Sequence, residues 1–345
     1  MKSSPNSKNK RINAVDWMKG FCIICITMLH IENGILPMWV NCFIGFFMIT
    51  GFYMTSGWLH GLKQRQYVDV KQFIRKRLRS LGIPYLWFTL IILIVDILFY
   101  LIGHYNIDII ARDIYKSIVL RGIGTLWFLP VLFFGELLFV VFKNRKQSLL
   151  GLLMGIFITV AASVLIHLLA SKAIGPLLFL IKMPLLVVQN SATALIVITA
   201  TYYVSYYFTK KEQNDKCRIG FVGLFLLILS AIYLSISSSC LPFSASLCGN
   251  LIISWIEPLG VFFLFLSISG SNFALRYLQY WGRNSIILMA IHYSILMEIC
   301  NWIANRFFAT QITGFPSLAC FALIMLVQYP IAELINKKMK FLIGK

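Results

Sequence analysis

Charge is what this sequence has least of. Asp, Glu, Lys and Arg make up 12% of its 345 residues, and only 12 of them are acidic. Soluble domains carry about twice that fraction. A soluble fold of this length has too little interior to hide a chain that is 59% hydrophobic. The strict alternation of apolar and polar residues that marks a lipid-spanning barrel is also missing. There is no low-complexity tract and no internal repeat, which weighs against the paired-repeat architecture common among transporters. Metal-ligand pairs are absent as well. Cys22 and Cys25 form a C-x-x-C, but they lie in an apolar run with no second pair, so they are expected to pack rather than bind zinc, and no metal site is expected.

What the chain does have is apolar runs long enough to cross a bilayer, which takes about 20 residues at 1.5 Å each. Ten are found: 15–36, 38–59, 81–103, 124–142, 148–170, 190–208, 218–237, 248–269, 284–305 and 315–336. The stretch 173–188 is short, contains Lys182 and is broken by Pro176 and Pro184, so it is expected to be interfacial or re-entrant. Backbone in lipid must satisfy its own hydrogen bonds. The expected fold is therefore all-α: a polytopic transmembrane bundle of about ten helices, forming a single integral membrane domain over 1–345 with short basic tails at 1–13 and 337–345.

The net charge of +19 might suggest nucleic acid, but no binding motif accompanies it. Every Lys and Arg except Arg112, Lys116, Arg121, Lys172, Lys182 and Arg306 falls in the segments on one side of the ten runs. That is the pattern of the positive-inside rule, and it places both termini in the cytoplasm. The N-terminus imitates a signal peptide but lacks a small-residue cleavage site, so an uncleaved first helix is expected. Cys240 and Cys248 flank a polar loop on the other side, where a disulfide competes with two free thiols.

Ionisable groups inside the bilayer are expensive and are functional suspects by default. Here they are His30, Glu32, Asp96, Glu136, His167, Glu257, His292 and Glu298. His167 reads as helix packing, and Glu257, just before Pro258, as a cap on a kink. His30 and His292 stand apart, because both lie at similar depth on helices ascending from the basic side and both suit proton removal from a hydroxyl near neutral pH. Lys19 precedes His30 by eleven residues, which returns it to nearly the same helix face. The run "FIRKRLRSLGIPY" concentrates Arg75, Lys76, Arg77 and Arg79. Such clusters serve topology and anionic lipids, but arginine forks also suit phosphates.

Taken in order, the motifs resemble acyltransferase family 3 of bacterial membrane proteins, and within it the fucose 4-O-acetylase-like branch. "RINAVDWMKGFCIICITMLH" is similar to the first-helix signature, a basic residue, ten others, then His: Lys19 and His30. "FIGFFMITGFYMTSG" resembles the second-helix element ending at Ser56 and Gly57. "FIRKRLRSLGIPY" resembles the basic start of the third helix, "GTLWFLPVLFFGELLF" the fourth-helix block with Trp127, and "WGRNSIILMAIHYSI" the ninth-helix block with Arg283 and His292. One departure is that "VNCFIGFF" stands where the family has a His-Met-Pro.

The resemblance implies acyl transfer from acetyl-CoA, or a related acyl-CoA, as co-substrate with no permanently bound cofactor. The acceptor it implies is a sugar hydroxyl of a surface polysaccharide or a lipid-linked saccharide, and the location a bacterial plasma (inner) membrane. It does not require the esterase-like extra domain of some members, and none is expected here. His30, Lys19 and His292 are the expected catalytic group. Arg75, Arg77, Arg79 and Arg283 are the expected donor contacts, and Trp127, Glu136 and Ser56 the acceptor contacts. His30 would act as base or carry the acyl group itself, in a chamber opening toward the arginine-rich face. The competing readings are an exporter of a glycan or lipid-linked intermediate and a non-catalytic assembly partner.

Overall fold

The computed structural model describes residues 12–31, 36–63, 67–172, 175–210, 215–240, 243–308 and 315–345; the side chains of 171–172, 209–210, 237–240, 243–248, 308 and 315 lie outside that description. Glu32 and the thiols of Cys240 and Cys248 therefore fall outside it.

The described chain is helical throughout, with ten helices long and apolar enough to span a membrane. They are α1 (Asn13–Ile31), α2 (Met38–Leu62), α3 (Val70–Leu101), α5 (Gly124–Asn144), α6 (Ser148–Ala170), α7 (Pro176–Phe208), α8 (Lys216–Ile236), α9 (Gly249–Ser267), α11 (Ser285–Phe307) and α12 (Pro316–Lys338). Two amphipathic helices complete the set: α4 (Ile107–Ile118) and α10 (Phe273–Arg283).

The expectation for 173–188 needs correction, because from Pro176 on this stretch is the first half of α7 and not a separate re-entrant segment. Pro176 opens the helix, where a missing N–H costs nothing. Pro184 lies inside it and leaves the carbonyl four residues back, that of Leu180, without its helical donor. The Tyr115 hydroxyl of α4 donates to that carbonyl at 2.5 Å. A proline is tolerated in lipid when a neighbour satisfies the freed group in this way. A second difference lies in α3, which begins at Val70, so "FIRKR" belongs to the helix itself. Asp69 caps it by accepting from Lys71 N at 3.0 Å.

α7 packs against α2, α5 and α6, while α8 pairs with α9 and α10 lies across α1. Small residues allow the closest approaches. Gly57 and Gly61 form a G-x-x-x-G face of α2 against α7, where a methyl on Gly57 would strike the Ile198 carbonyl. At the α1–α10 crossing, a methyl on Gly20 would meet the Leu278 carbonyl and one on Gly282 that of Asp16. Of the ten spans, α1 is the most buried, at 67% against 17% for α8. It is the central post of the bundle.

Gly57→Val should therefore overpack the α2–α7 interface and destabilise the protein by about 1–3 kcal/mol. Gly45→Ala, in a position with open space around it, should not. Thermal unfolding of both variants in detergent checks this, and equal stabilities would contradict it.

Candidate active site

α1 and α11 bring His30 and His292 together. His292 Nε2 lies 3.4 Å from His30 Nδ1, with ring centroids 5.2 Å apart. Their protons are assigned by the helix backbone. His30 Nδ1 lies 2.7 Å from the Ile26 carbonyl and His292 Nδ1 2.8 Å from the Leu288 carbonyl. A carbonyl only accepts, so in the neutral rings each Nδ1 carries the hydrogen and each Nε2 is bare. The bare Nε2 of His292 faces the N–H edge of His30. The bare Nε2 of His30 is left on the far side of its ring.

Local backbone explains the aim of His292. A π-helical turn, His292–Met297, begins at that residue; such wide turns recur at functional sites. Thr125 Oγ1 donates to the Met289 carbonyl at the start of this turn, at 2.5 Å. His292 is fully buried behind His30, whereas His30 is half-buried and borders a chamber of about 420 Å³.

The chamber is polar. Asp96, Asp113, Glu298 and Tyr105 supply acceptors and a phenol, Lys116 and Arg121 supply cations, and Tyr293 and Ser294 line the wall beside His30. The Tyr293 ring sits 4.7 Å from that of His30. Lys116 Nζ holds Asp113 at 2.7 Å. Burial and then the Glu298 carboxylate push the Tyr105 phenol upward, so it stays protonated as a donor to that carboxylate. Arg121 enters on a folded-in segment made possible by left-handed backbone at Leu120, Gly122 and Gly124. A methyl on Gly124 would collide with Ser294 Oγ. The guanidinium of Arg121 lies over the Trp127 ring at 5.0 Å, and burial lowers its pKa from the ordinary value. Neither Arg121 Nε nor Ser294 Oγ has a hydrogen-bond partner among the described residues. One chamber is thus lined by an imidazole whose Nδ1 is committed elsewhere and by two residues whose unused donor atoms are buried in its wall.

The other expected site residues are placed elsewhere. Lys19 lies about 16 Å of helical rise from His30 and does not line the chamber. Trp127 is the shelf under Arg121 and is not part of the lining either. Arg75 and Arg79 are exposed, and Arg79 donates from Nε to the Gly344 carbonyl at 2.9 Å. Arg77 turns inward and ion-pairs through Nε with Glu136 at 2.6 Å, and Ser56 Oγ donates to the same carboxylate. Three residues expected in different roles thus share one network. Arg283 reaches Asp16 at 3.3 Å and ties the helices leading to His292 and His30. Glu257 is buried with both oxygens unbonded among the described residues, so it forms no cap at Pro258.

The chamber also lies away from the arginine-rich end, where it was expected to open. Arg77 lies two turns into α3 and Asp96 nearly ends it, about 28 Å further along the axis. The chamber is bounded by Tyr105 and Arg121–Gly124, in the loops at that far end. Lys116 and Arg121, which the charge count had treated as topology, make the chamber polar together with Asp96, Asp113 and Glu298.

A family model described as an acyltransferase domain matches residues 12–331, which spans both histidine helices and everything between them. The chain belongs to acyltransferase family 3. No curated protein and no solved structure matches it. Membership makes the protein a multi-pass acyl-transfer enzyme with an acyl donor and an acceptor, and it sets aside the exporter and assembly-partner readings. The residues that sequence reasoning passed over are Arg121, Tyr105, Tyr293 and Ser294. Their available signal was the "RGIGTLW" run, where two glycines one residue apart follow an arginine next to an apolar helix.

Because Glu136 is only 1% exposed, Arg77→Ala should strand its charge and destabilise the protein by about 3 kcal/mol, whereas Arg75→Ala should leave stability unchanged. Thermal melts decide between this and a purely donor-binding role for Arg77, in which neither variant would lose stability.

Proposed function

We propose that this family 3 enzyme moves an acetyl or similar group from acyl-CoA to a sugar hydroxyl of a cell-surface polysaccharide or its lipid-linked precursor, in a bacterial plasma membrane, with His30 as the general base. The observation that carries the reading is the bare Nε2 of His30 in a polar chamber beside two uncommitted donors.

The acceptor hydroxyl gives its proton to His30 Nε2 as its oxygen attacks the thioester carbonyl. Negative charge then develops on the former carbonyl oxygen, and Arg121 Nε and Ser294 Oγ are the donors that meet it. As the carbon–sulfur bond breaks, the leaving thiolate takes the proton back from His30. His292 is a positioning residue. Its Nε2 faces the Nδ1–H of His30 and favours the ring orientation and the positive charge that forms on it. The thioester is already activated, so orientation, a base and oxyanion stabilisation are enough.

Several features support a sugar as acceptor. Carboxylates at Asp96, Asp113 and Glu298 match hydroxyl donors, and the Tyr293 ring offers a face beside the base. The resemblance of the motifs, taken in order, to the fucose 4-O-acetylase-like branch supports the same acceptor. Arg283 supports the site through the crossing of α1 with α10, and Ser56 and Glu136 anchor Arg77; neither these three nor Lys19 touches the acceptor in this reading.

His30→Ala should lower transfer of label from acyl-CoA to glycan by at least about 10²-fold while the protein still accumulates. Arg121→Gln should lower kcat by about 10²-fold or more with little change in KM. Steady-state kinetics on membranes checks both. Undiminished turnover in the His30 variant would remove that ring from the chemistry.

A further inference from the structure

At the end of the bundle away from His30, a second cavity of about 330 Å³ lies between the last turn of α5, the last turns of α7 and the residues before α3. Its walls include Tyr67, Lys143, Lys146, Tyr203, Tyr206 and Tyr207. All of these tyrosines but Tyr67 come from the run "TYYVSYY", which presents rings over two successive turns of α7.

Lys143 is the unusual member. It is 7% exposed, and its ammonium has no hydrogen-bond partner among the described residues. The Tyr202 ring face lies 5.8 Å from its Nζ. A buried ammonium is costly unless paired, and among the described residues no carboxylate lines this cavity. The ammonium of Lys63 lies close enough to act on both His60 and Lys143, and so raises the local positive potential further. Lys146 adds a second ammonium from a left-handed backbone position with φ of 59°, a conformation that costs a non-glycine residue about 1 kcal/mol. The cavity therefore joins two cations with no counter-ion among the described residues to a set of aromatic faces. An anionic lipid headgroup answers only the first feature. A phosphorylated nucleoside answers both, since its base stacks while its phosphate takes the charge.

The position fits as well. α5 connects the two sites, because Gly124 at one end lines the His30 chamber and Lys143 at the other lines this cavity. Polar groups mark the interval: Ser56 and His60 lie one turn apart on α2, and Glu136 lies two turns before Lys143 on α5.

We propose that this cavity holds the phosphorylated adenosine end of the acyl donor, with Lys143 and Lys146 on its phosphate and the tyrosines on its ring. The proposal rests on the acyl-CoA reading given above and adds to it the residues that grip the nucleotide. Exposed Arg75 and Arg79 are not needed for it.

The test is binding of CoA and of 3′-dephospho-CoA to the full chain in zwitterionic nanodiscs, by calorimetry. Wild type should bind CoA about tenfold or more tighter than the dephosphorylated form. Lys143→Met should lose that preference while keeping its affinity for 3′-dephospho-CoA. Tyr207→Ala, at a 60% exposed position that folding does not depend on, should weaken both ligands by about tenfold. Adding an anionic phospholipid to the nanodiscs should leave CoA affinity nearly unchanged. A folded Lys143→Met protein that keeps the preference, an unaltered Tyr207→Ala protein, or displacement of CoA by anionic lipid would overturn the assignment while leaving the donor class intact. A wild type that binds no CoA would overturn the donor class and this site together.

Discussion

One imidazole edge governs the arrangement. The Nδ1–H of His30 is spent on the carbonyl one turn below it and faces the bare nitrogen of His292. A neutral imidazole has one hydrogen, so committing it there leaves the opposite nitrogen basic. The surrounding packing holds this edge in place. Gly20 and Gly282 let α1 and α10 cross at backbone contact, Arg283 and Asp16 lock that crossing, and Asn284 starts the helix that lifts His292 to the level of His30. The wide turn at His292 and the Thr125 hydroxyl then set its direction. Loosening any of these would turn an imidazole and change which nitrogen meets the chamber.

The bundle separates its two kinds of polar interior. Around His30 the groups are mixed in sign and border open space, as binding and proton transfer require. Toward the basic end, Arg77, Glu136 and Ser56 form a hydrogen-bonded network around one buried carboxylate. Buried ion pairs contribute little net stability but are costly to break, so this network fixes how α2, α3 and α5 sit relative to one another. α5 runs through both regions, and a small rotation of that helix would be felt at each.

Much of this was legible in the residues. Ten apolar runs gave ten spans, because length and hydropathy alone decide what lipid accepts. The pairing of His30 with His292 followed from their equal depth on two ascending helices. The stretch 173–188 misled because Pro184 breaks a helix in isolation; the compensating hydroxyl of Tyr115 is 69 residues away in sequence and invisible to local pattern. Arg121 was counted as a topology charge because a folded-in loop looks like any loop until its left-handed turns are seen. Arg77 looked like its neighbours Arg75 and Arg79, since helical phase through the π turn Leu78–Gly82 and the position of Glu136 are tertiary facts.

The tautomer of His30 is the most direct measure of the central interaction. Nitrogen-15 NMR of histidine-labelled protein, with the His30 signals identified by their loss in a His30→Gln spectrum, reads which ring nitrogen bears the hydrogen. The account requires a protonated Nδ1 and a bare Nε2 at neutral pH. A protonated Nε2 with a bare Nδ1 would mean that the ring does not bond Ile26, that its basic atom points at His292 rather than the chamber, and that the mechanism built on it is wrong.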